Sequence, residues 1–362
     1  MRRVVLAAGG TGGHFYPGLV AAKALRERGW EPLIVLREGD PARARLEAEG
    51  IASLPVDLRG LPRRPGPELL SFARKLGGSL LTLRRALRAF RPDLAVGMGG
   101  YLTFPLVAAA RLRGVPCALH ESNAVLGLAN AASARLGAAL FRGLPPADPA
   151  APGTLVGTPV RPALWTRRPA LAARPALGLD PDRPTILVFG GSQGAQGINA
   201  ALPRALKALG GGIQVLHLAG RGKAEAAAAA YRAAGVEAQV REYLEDMASA
   251  YGAADLVVCR AGASTLAELA AQRLPALLVP YPHAAGDHQD ANARVLERAG
   301  AALRLPEAEL DARLGPALAD LLQSDGAARR REEMSGAYAA LGLPPAAEAV
   351  DAFAAALERV AR

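Results

Sequence analysis

Residues 4–18 read VVLAAGGTGGHFYPG, and residues 185–199 read TILVFGGSQGAQGIN. Each stretch is a short apolar run, then a glycine-rich loop, then a helical pattern. A strand that feeds a helix through glycines is the opening of a doubly wound α/β unit. The chain contains two such openings in 362 residues. That length suits two ordinary domains, each able to bury its own core.

The rest of the chain repeats the alternation. Strands are expected at Val4–Ala8, Leu33–Leu36, Leu94–Met98, Cys117–His120 and Thr154–Val156, with helices such as Gly18–Glu27 and Leu102–Leu112 between them. A second series is expected at Thr185–Phe189, Gln214–Leu218, Ala238–Glu242, Leu256–Cys259 and Ala276–Val279. Strands alternating with helices imply parallel sheets with right-handed crossovers. Residues 143–184 between the two series are proline-rich, as a domain boundary often is. At the end, Val350, Phe353, Leu357 and Val360 recur at helical spacing, which predicts an amphipathic helix packed on a domain.

The formal net charge is +10, so acidic partners are favoured: phosphates, nucleic acid or an anionic membrane surface. Nucleic-acid binding would call for aromatic residues among the basic ones, but aromatic content is 4% and no nucleic-acid module is present. Cys117 and Cys259 sit in apolar runs and read as buried reduced thiols. The N-terminal apolar run is too short for a signal peptide, and no stretch approaches the 20 apolar residues of a spanning helix. Membrane contact is therefore expected to be peripheral.

Chemistry concentrates in three segments. In the first loop, Gly9, Gly10, Gly12 and Gly13 allow close backbone approach to a ligand, and the following helix N-terminus offers N–H groups to an anion or hydroxyl. The loop is not a clean dinucleotide fingerprint, although Glu38 and Asp40 keep a dehydrogenase alternative open. His14 at its lip is a candidate proton acceptor, or else a helix cap. In the second loop, Ser192 and the amides around it suit a pyrophosphate, or form a plain tight turn. The third segment, residues 259–293, reads CRAGASTLAELAAQRLPALLVPYPHAAGDHQDANA. Ser264 or Thr265 is placed to cap a helix there. Glu268 follows about a turn later, as a ribose-binding carboxylate or a surface glutamate.

Taken together, GGTGGHFYPG, GMGGYLTFP, HESNAVLGLAN, GTPVR, GGSQGA, CRAGASTLAE and DHQDANA occur in the order and approximate spacing of the MurG family. The chain resembles that family over nearly its whole length. The resemblance implies a GT-B glycosyltransferase: α/β, with two Rossmann-like doubly wound domains facing each other across a cleft. It further implies transfer of N-acetylglucosamine from UDP-N-acetylglucosamine to undecaprenyl-linked lipid I in peptidoglycan synthesis. The alternative is another UDP-sugar transferase, or an epimerase, with a soluble substrate. Two departures from the pattern are Thr158, where asparagine is expected, and His288 before Gln289.

By resemblance, residues 1–160 form the acceptor and membrane-docking domain, with the 346–362 helix packing back on it, and residues 161–345 bind the UDP-sugar. His14 is the expected catalytic base, or a stabiliser of developing charge. Thr11, Gly12 and Gly13 close over the sugar, and Asn123 bonds to it. Tyr101 and Glu121 are further acceptor-side residues. Arg161 and Ser192 meet the diphosphate, together with the segment Ala263, Ser264, Thr265, Leu266 and Ala267. Leu244 lies at the uracil, Glu268 holds the ribose and Gln289 reads the sugar hydroxyls. No cofactor or metal is expected. The expected location is peripheral, at the cytoplasmic face of the cell membrane, with cell-wall assembly proteins as partners and no nucleic acid. The docking surface is expected in residues 59–91, RGLPRRPGPELLSFARKLGGSLLTLRRALRAFR. There nine basic residues (Arg59, Arg63, Arg64, Arg74, Lys75, Arg84, Arg85, Arg88 and Arg91) interleave with Leu69, Leu70, Phe72, Leu76, Leu80, Leu81 and Leu83.

Overall fold

A computed structural model describes residues 1–9, 12–62, 66–191 and 194–362. Thr11, Arg63, Arg64 and Ser192 lie outside the described residues. The chain divides into two compact units, Met1–Pro162 with Leu343–Arg362, and Ala163–Gly342.

The first unit holds strands β1 (Arg2–Ala7), β2 (Trp30–Arg37), β3 (Ala52–Val56), β4 (Leu94–Gly97), β5 (Cys117–Glu121), β6 (Ala139–Arg142) and β7 (Thr154–Leu155). Its crossover helices are α1 (Gly12–Glu27), α2 (Ala42–Ala48), α3 (Pro67–Phe90), α4 (Thr103–Arg111) and α5 (Leu128–Arg135). The second unit holds β8 (Thr185–Phe189), β9 (Gln214–Leu218), β10 (Ala238–Arg241), β11 (Leu256–Cys259), β12 (Ala276–Leu278) and β13 (Ala302–Arg304). Its helices are α6 (Ala170–Ala176), α7 (Gln196–Leu209), α8 (Ala224–Ala234), α9 (Met247–Ala253), α10 (Ala263–Gln272), α11 (His288–Arg298), α12 (Leu310–Leu322) and α13 (Ala327–Ala337). A last helix, α14 (Ala346–Val360), belongs to the first unit.

Both sheets are parallel, in the order β3-β2-β1-β4-β5-β6-β7 and β10-β9-β8-β11-β12-β13. The central strands carry apolar runs on both faces, such as Val4–Ala7, Ile186–Phe189 and Leu256–Cys259, because helices cover both sides of the sheet. Alternation along β1 sends Val4 and Leu6 to the layer of α1 and α14, and Val5 and Ala7 to the layer of α3 and α4. Expected strands and observed ones agree at the sheet centres. β3 escapes sequence reading because Pro55 interrupts it, which only an edge strand tolerates. β6 and β13 were not anticipated either, and each ends in an arginine that cuts its apolar run short.

Two local expectations need correction. α1 starts at Gly12, not Gly18, so it carries His14 in its first turn and contains Pro17. Pro17 forgoes only the bond to the Gly13 carbonyl, and the helix continues past it. In α3, Leu83 is buried, and Phe72, Leu76 and Leu80 pack partly on the core. Its exposed leucines are therefore Leu69, Leu70 and Leu81. Lys75 is tied to Asp57 at 2.7 Å, while Arg74, Arg84, Arg85 and Arg88 stand in solvent.

Both cysteines are free and buried. Burial pushes the Cys117 thiol up to about 11, and Cys259 higher still. The apolar stretch 327–360 is broken at Gly342 and Pro344–Pro345 into α13, a 3-10 turn and α14. At 15 residues α14 is about 22 Å long, short of a hydrocarbon core of roughly 30 Å. Its Val350, Phe353 and Leu357 are buried with Val4 and Leu6. Phe353 meets His120 and Phe141 edge-on, at 5.0 and 5.9 Å. Arg28 and the Trp30 indole N–H reach Glu358 across the same seam.

Phe353→Ala is expected to cost the first unit about 3–5 kcal/mol. Urea denaturation followed by Trp30 fluorescence, in a Trp165→Phe background, checks this. A loss under about 1 kcal/mol would mean that α14 adds little to that core.

Candidate active site

In each unit the first strand lies mid-sheet, beside the strand that begins its other half. Ligands of such sheets bind at the carboxyl ends of these two strands, where the crossovers diverge. In the first unit they are β1 and β4, paired from Val4↔Leu94 to Ala7↔Gly97.

β1 leads to α1, and β4 leads to Gly99 and Gly100, whose φ values are +97° and +74°. The His14 ring lies against this backbone. A Cβ on Gly99 would stand 2.8 Å from His14 Cδ2 and 2.9 Å from Nε2, and one on Gly100 would stand 3.3 Å from Nδ1. Both the left-handed φ and the close approach require glycine here. Thr103 pins the turn: its hydroxyl donates to the Gly99 carbonyl at 2.9 Å and accepts from the Gly99 N–H at 3.1 Å. Gly12 and Gly13 open α1 on the same side. Tyr16, one turn along α1, carries the Arg161 guanidinium 4.9 Å from its ring centroid. That cation–π contact holds Arg161 beside the start of α1. Tyr101 is half-buried near Gly60. Burial raises its hydroxyl pKa, with Arg37, Asp40 and Arg59 as its charged neighbours.

At the end of β5, Glu121 is buried and accepts four hydrogen bonds. Oε1 takes the Asn123 backbone N–H (3.0 Å) and side-chain amide (2.9 Å). Oε2 takes the Gly127 N–H (3.0 Å) and the Asn130 amide (2.9 Å). The carboxylate is thus the internal clamp of the 121–130 loop and sets the position of Asn123. His120 is fully buried, and burial lowers its pKa. Its neutral ring donates from Nε2 to the Gly157 carbonyl at 3.0 Å, and Nδ1 accepts from Ser122 Oγ at 3.2 Å. Thr158, the departure in GTPVR, has a buried hydroxyl with no partner among the described residues.

In the second unit the central pair is β8 and β11, ending at Phe189↔Cys259. Beyond β8, Gly194 has φ +69°, and a Cβ there would sit 1.9 Å from the Ala219 carbonyl oxygen. Beyond β11, α10 begins at Ala263 with Gly262 as its N-cap, and no side chain caps it. The capping expected of Ser264 or Thr265 is therefore corrected: both lie inside the first turn. The N–H groups of Ala263, Ser264 and Thr265 have no intrahelical acceptor, so they point outward together. The Leu266 N–H is spent on Gly262, and the side chains of Leu266 and Ala267 are buried. Glu268 follows, half-exposed, accepting the Tyr251 hydroxyl at 2.7 Å. Leu244 lies half-buried in the loop before α9. Gln289, second residue of α11, accepts the Tyr281 N–H at 2.9 Å.

Sequence reading missed several supports of this unit. The Arg260 guanidinium is buried. It donates to the Val279 and Pro280 carbonyls at 3.2 and 3.1 Å, lies over Tyr281 and pairs with Glu307. Asn292 was not missed, since the sequence marks the polar amides of DHQDANA for a hydroxyl-rich ligand, but it is buried and its amide donates to the Ala261 carbonyl at 3.1 Å. His217 joins Tyr231 (2.9 Å) and Asn199 (3.0 Å), and burial pushes its pKa down to about 4. A charged residue closing a buried strand, as Arg260 does, was the one legible signal.

Two family models cover most of the chain. The glycosyltransferase family 28 N-terminal domain matches residues 4–141, and the C-terminal domain of the same family matches residues 185–349. The chain belongs to glycosyltransferase family 28. It is 43% identical to a Halorhodospira halophila protein over all of its own length and 99% of that protein's. That relative is named UDP-N-acetylglucosamine–N-acetylmuramyl-(pentapeptide) pyrophosphoryl-undecaprenol N-acetylglucosamine transferase. A Bordetella petrii protein of the same name is 44% identical, over 85% of each chain. The crystal structure of Acinetobacter baumannii MurG superimposes with a TM-score of 0.80 at 30% identity, covering 99% of this chain and all of that one. The calicheamicin glycosyltransferase CalG4 (TM-score 0.67, 18% identity, full coverage of both) shares the fold. This family 28 glycosyltransferase therefore has the GT-B architecture of two doubly wound units.

Gly99→Ala must displace the imidazole. It is expected to lower glycosyl transfer about 100-fold while leaving UDP binding intact. Steady-state kinetics and calorimetric titration with UDP check this. Unchanged transfer would mean that the His14 position is immaterial.

Proposed function

We propose that this chain transfers N-acetylglucosamine from UDP-N-acetylglucosamine to the C4 hydroxyl of the N-acetylmuramyl unit of lipid I, with inversion. The single observation that carries this reading is the 43% identity, running from end to end, to the transferase of that name.

The second unit is the donor side. Glu268 takes the ribose hydroxyls, and the outward amides of Ala263, Ser264 and Thr265 take the diphosphate. Leu244 meets the uracil and Gln289 the sugar. The first unit is the acceptor side, where Asn123, oriented by Glu121, bonds the sugar under Gly12 and Gly13. Tyr101, on the rim near Arg37 and Asp40, is a second-rank contact.

His14 takes the proton of the acceptor hydroxyl. The acceptor oxygen bonds to the anomeric carbon as the bond from that carbon to the diphosphate oxygen breaks, and UDP leaves with the electron pair. Its growing charge is met by the α10 amides and by Arg161, preorganised so that little must rearrange during reaction. Thr11 and Ser192 keep the roles of sugar and diphosphate contacts. No metal takes part in this scheme.

Lipid I is membrane-bound, so the first unit docks on the cytoplasmic leaflet through α3. Leu69, Leu70 and Leu81 insert, and Arg74, Arg84, Arg85 and Arg88 meet anionic headgroups. Through that surface the enzyme works beside the proteins of cell-wall assembly.

Label transfer from UDP-N-acetylglucosamine to a lipid I analogue, with and without a chelator, tests the reaction. Transfer is expected to persist in chelator and to fall at least about 100-fold in His14→Ala. Transfer only to a soluble acceptor would overturn the lipid I assignment. Arg84→Gln combined with Arg85→Gln is expected to weaken binding to anionic vesicles roughly 30-fold at low salt. Undiminished co-sedimentation would remove α3 as the docking surface.

A further inference from the structure

The ring of His217 is the middle of a buried polar chain. It sits on β9 with 0% exposure, and Tyr231 of α8 and Asn199 of α7 are buried beside it. It meets the Tyr231 ring edge-on, with centroids 5.6 Å apart. Nδ1 lies 2.9 Å from the Tyr231 hydroxyl, and Nε2 lies 3.0 Å from Asn199 Oδ1. The Asn199 amide donates in turn to the Ala219 carbonyl at 3.0 Å.

The last acceptor fixes every proton in this chain. A carbonyl only accepts, so Asn199 turns its NH2 to Ala219 and its oxygen to His217. Nε2 must then carry the proton, and the Nδ1 lone pair takes the Tyr231 hydroxyl. Burial favours the neutral ring that this pattern requires. Apolar side chains would fill the same space without fixing the direction of any group.

The far end of the chain is a backbone contact beyond β8. Gly194 lies so close on the Ala219 carbonyl that a Cβ there would stand 1.9 Å from its oxygen. The Gly194 N–H donates to the Gly191 carbonyl at 2.9 Å, and a Cβ on Gly190 would stand 2.3 Å from the Ala195 nitrogen. Ala195 is the N-cap of α7, and its carbonyl accepts the Asn199 N–H at 2.8 Å. Ala219 is itself pinned, since its N–H donates to the Arg241 carbonyl at 2.8 Å. Asn199 therefore fastens the start of α7 to the carbonyl on which Gly194 rests, and His217 decides which way Asn199 faces.

We infer that His217 is a positioning residue for the donor diphosphate: acting through Asn199, it holds Gly194 and the start of α7 in place at the end of β8. The inference rests on the donor-side reading above, which puts the diphosphate at the ends of β8 and β11. His217 touches no ligand in this scheme. Without it the Asn199 amide can turn over and set its oxygen against the Ala219 carbonyl oxygen. Two acceptors repel, and Gly194 loses its seat. That reading assigns the base to Leu244, so the loss falls on the diphosphate alone.

Calorimetry would compare UDP with uridine, the latter by displacement of UDP, on the wild type, His217→Leu, His217→Gln and Asn199→Leu. In His217→Leu the Kd for UDP is expected to rise about tenfold, as for loss of one buried hydrogen bond, and that for uridine by less than about twofold. In turnover, KM for the sugar nucleotide should rise more than kcat falls. His217→Gln, whose amide nitrogen can stand in for Nε2, should return the UDP affinity to within about threefold of wild type. His217→Leu combined with Asn199→Leu should lose no more than either change alone, because both cut one chain. Ring nitrogen-15 shifts of the wild type, which need no variant to fold, should show a neutral His217 protonated at Nε2. A proton on Nδ1, equal losses for UDP and uridine, additive losses in the double variant, or no recovery in His217→Gln would make His217 merely structural and overturn the inference. Unchanged UDP affinity in His217→Leu would overturn it and leave the donor-side reading standing. A wild type that binds UDP no better than uridine would overturn both.

Discussion

A parallel sheet whose first strand lies in the middle must send its crossovers one way and then the other. The loops at the carboxyl ends of its two central strands therefore part, and side chains from distant segments can meet in the gap. Both units obey this constraint, with β1 against β4 and β8 against β11. His14 meets Gly99 and Gly100 in the first gap. Gly194 and the start of α10 border the second. The proposed base and the proposed diphosphate amides are hung on these strand ends.

Groups near the strand ends are held by buried polar contacts. Burying an ionised group is costly unless it is fully bonded. Glu121 has four N–H donors, and Arg260 has two carbonyls and a carboxylate. Such contacts add little net stability, because desolvation offsets much of the attraction. What they do confer is direction. A satisfied network permits one loop geometry, while an apolar core would tolerate several. His217 shows the same logic without charge, since its neutral ring ties β9 to Asn199 of α7 and Tyr231 of α8. Among the described residues of the first unit, the Thr158 hydroxyl and Asn130 Oδ1 are exceptions.

α3 separates two jobs that its sequence mixes. Its repeat of leucines and arginines contains a face that packs against the sheet, with Leu83 and Leu87 fully buried. It also contains a shorter apolar strip in solvent, flanked by arginines. The composition alone cannot divide them, because burial depends on which side of the helix the sheet lies.

Much of this protein was legible in one dimension. Apolar runs of strand length, glycines directly after two of them and helical spacing between them determine two doubly wound units, because those patterns follow from backbone periodicity and from which conformations glycine alone adopts. The residues that bear the proposed chemistry stand out for the same reason: polar groups beside glycines at strand ends have no packing role to explain them. The start of α1 was not legible, since Pro17 reads as a boundary although a helix can carry it. Nor was β3, whose Pro55 is acceptable only at a sheet edge. Least legible were the partners. That His14 rests on Gly99, that Glu121 clamps its own loop instead of facing outward, that Tyr251 holds Glu268 and that Arg260 pairs with Glu307 depend on how the crossovers bring separate strand ends together. Local pattern specifies each segment, but distances between segments are set only when the sheet closes around its core, and there the tertiary structure alone decides.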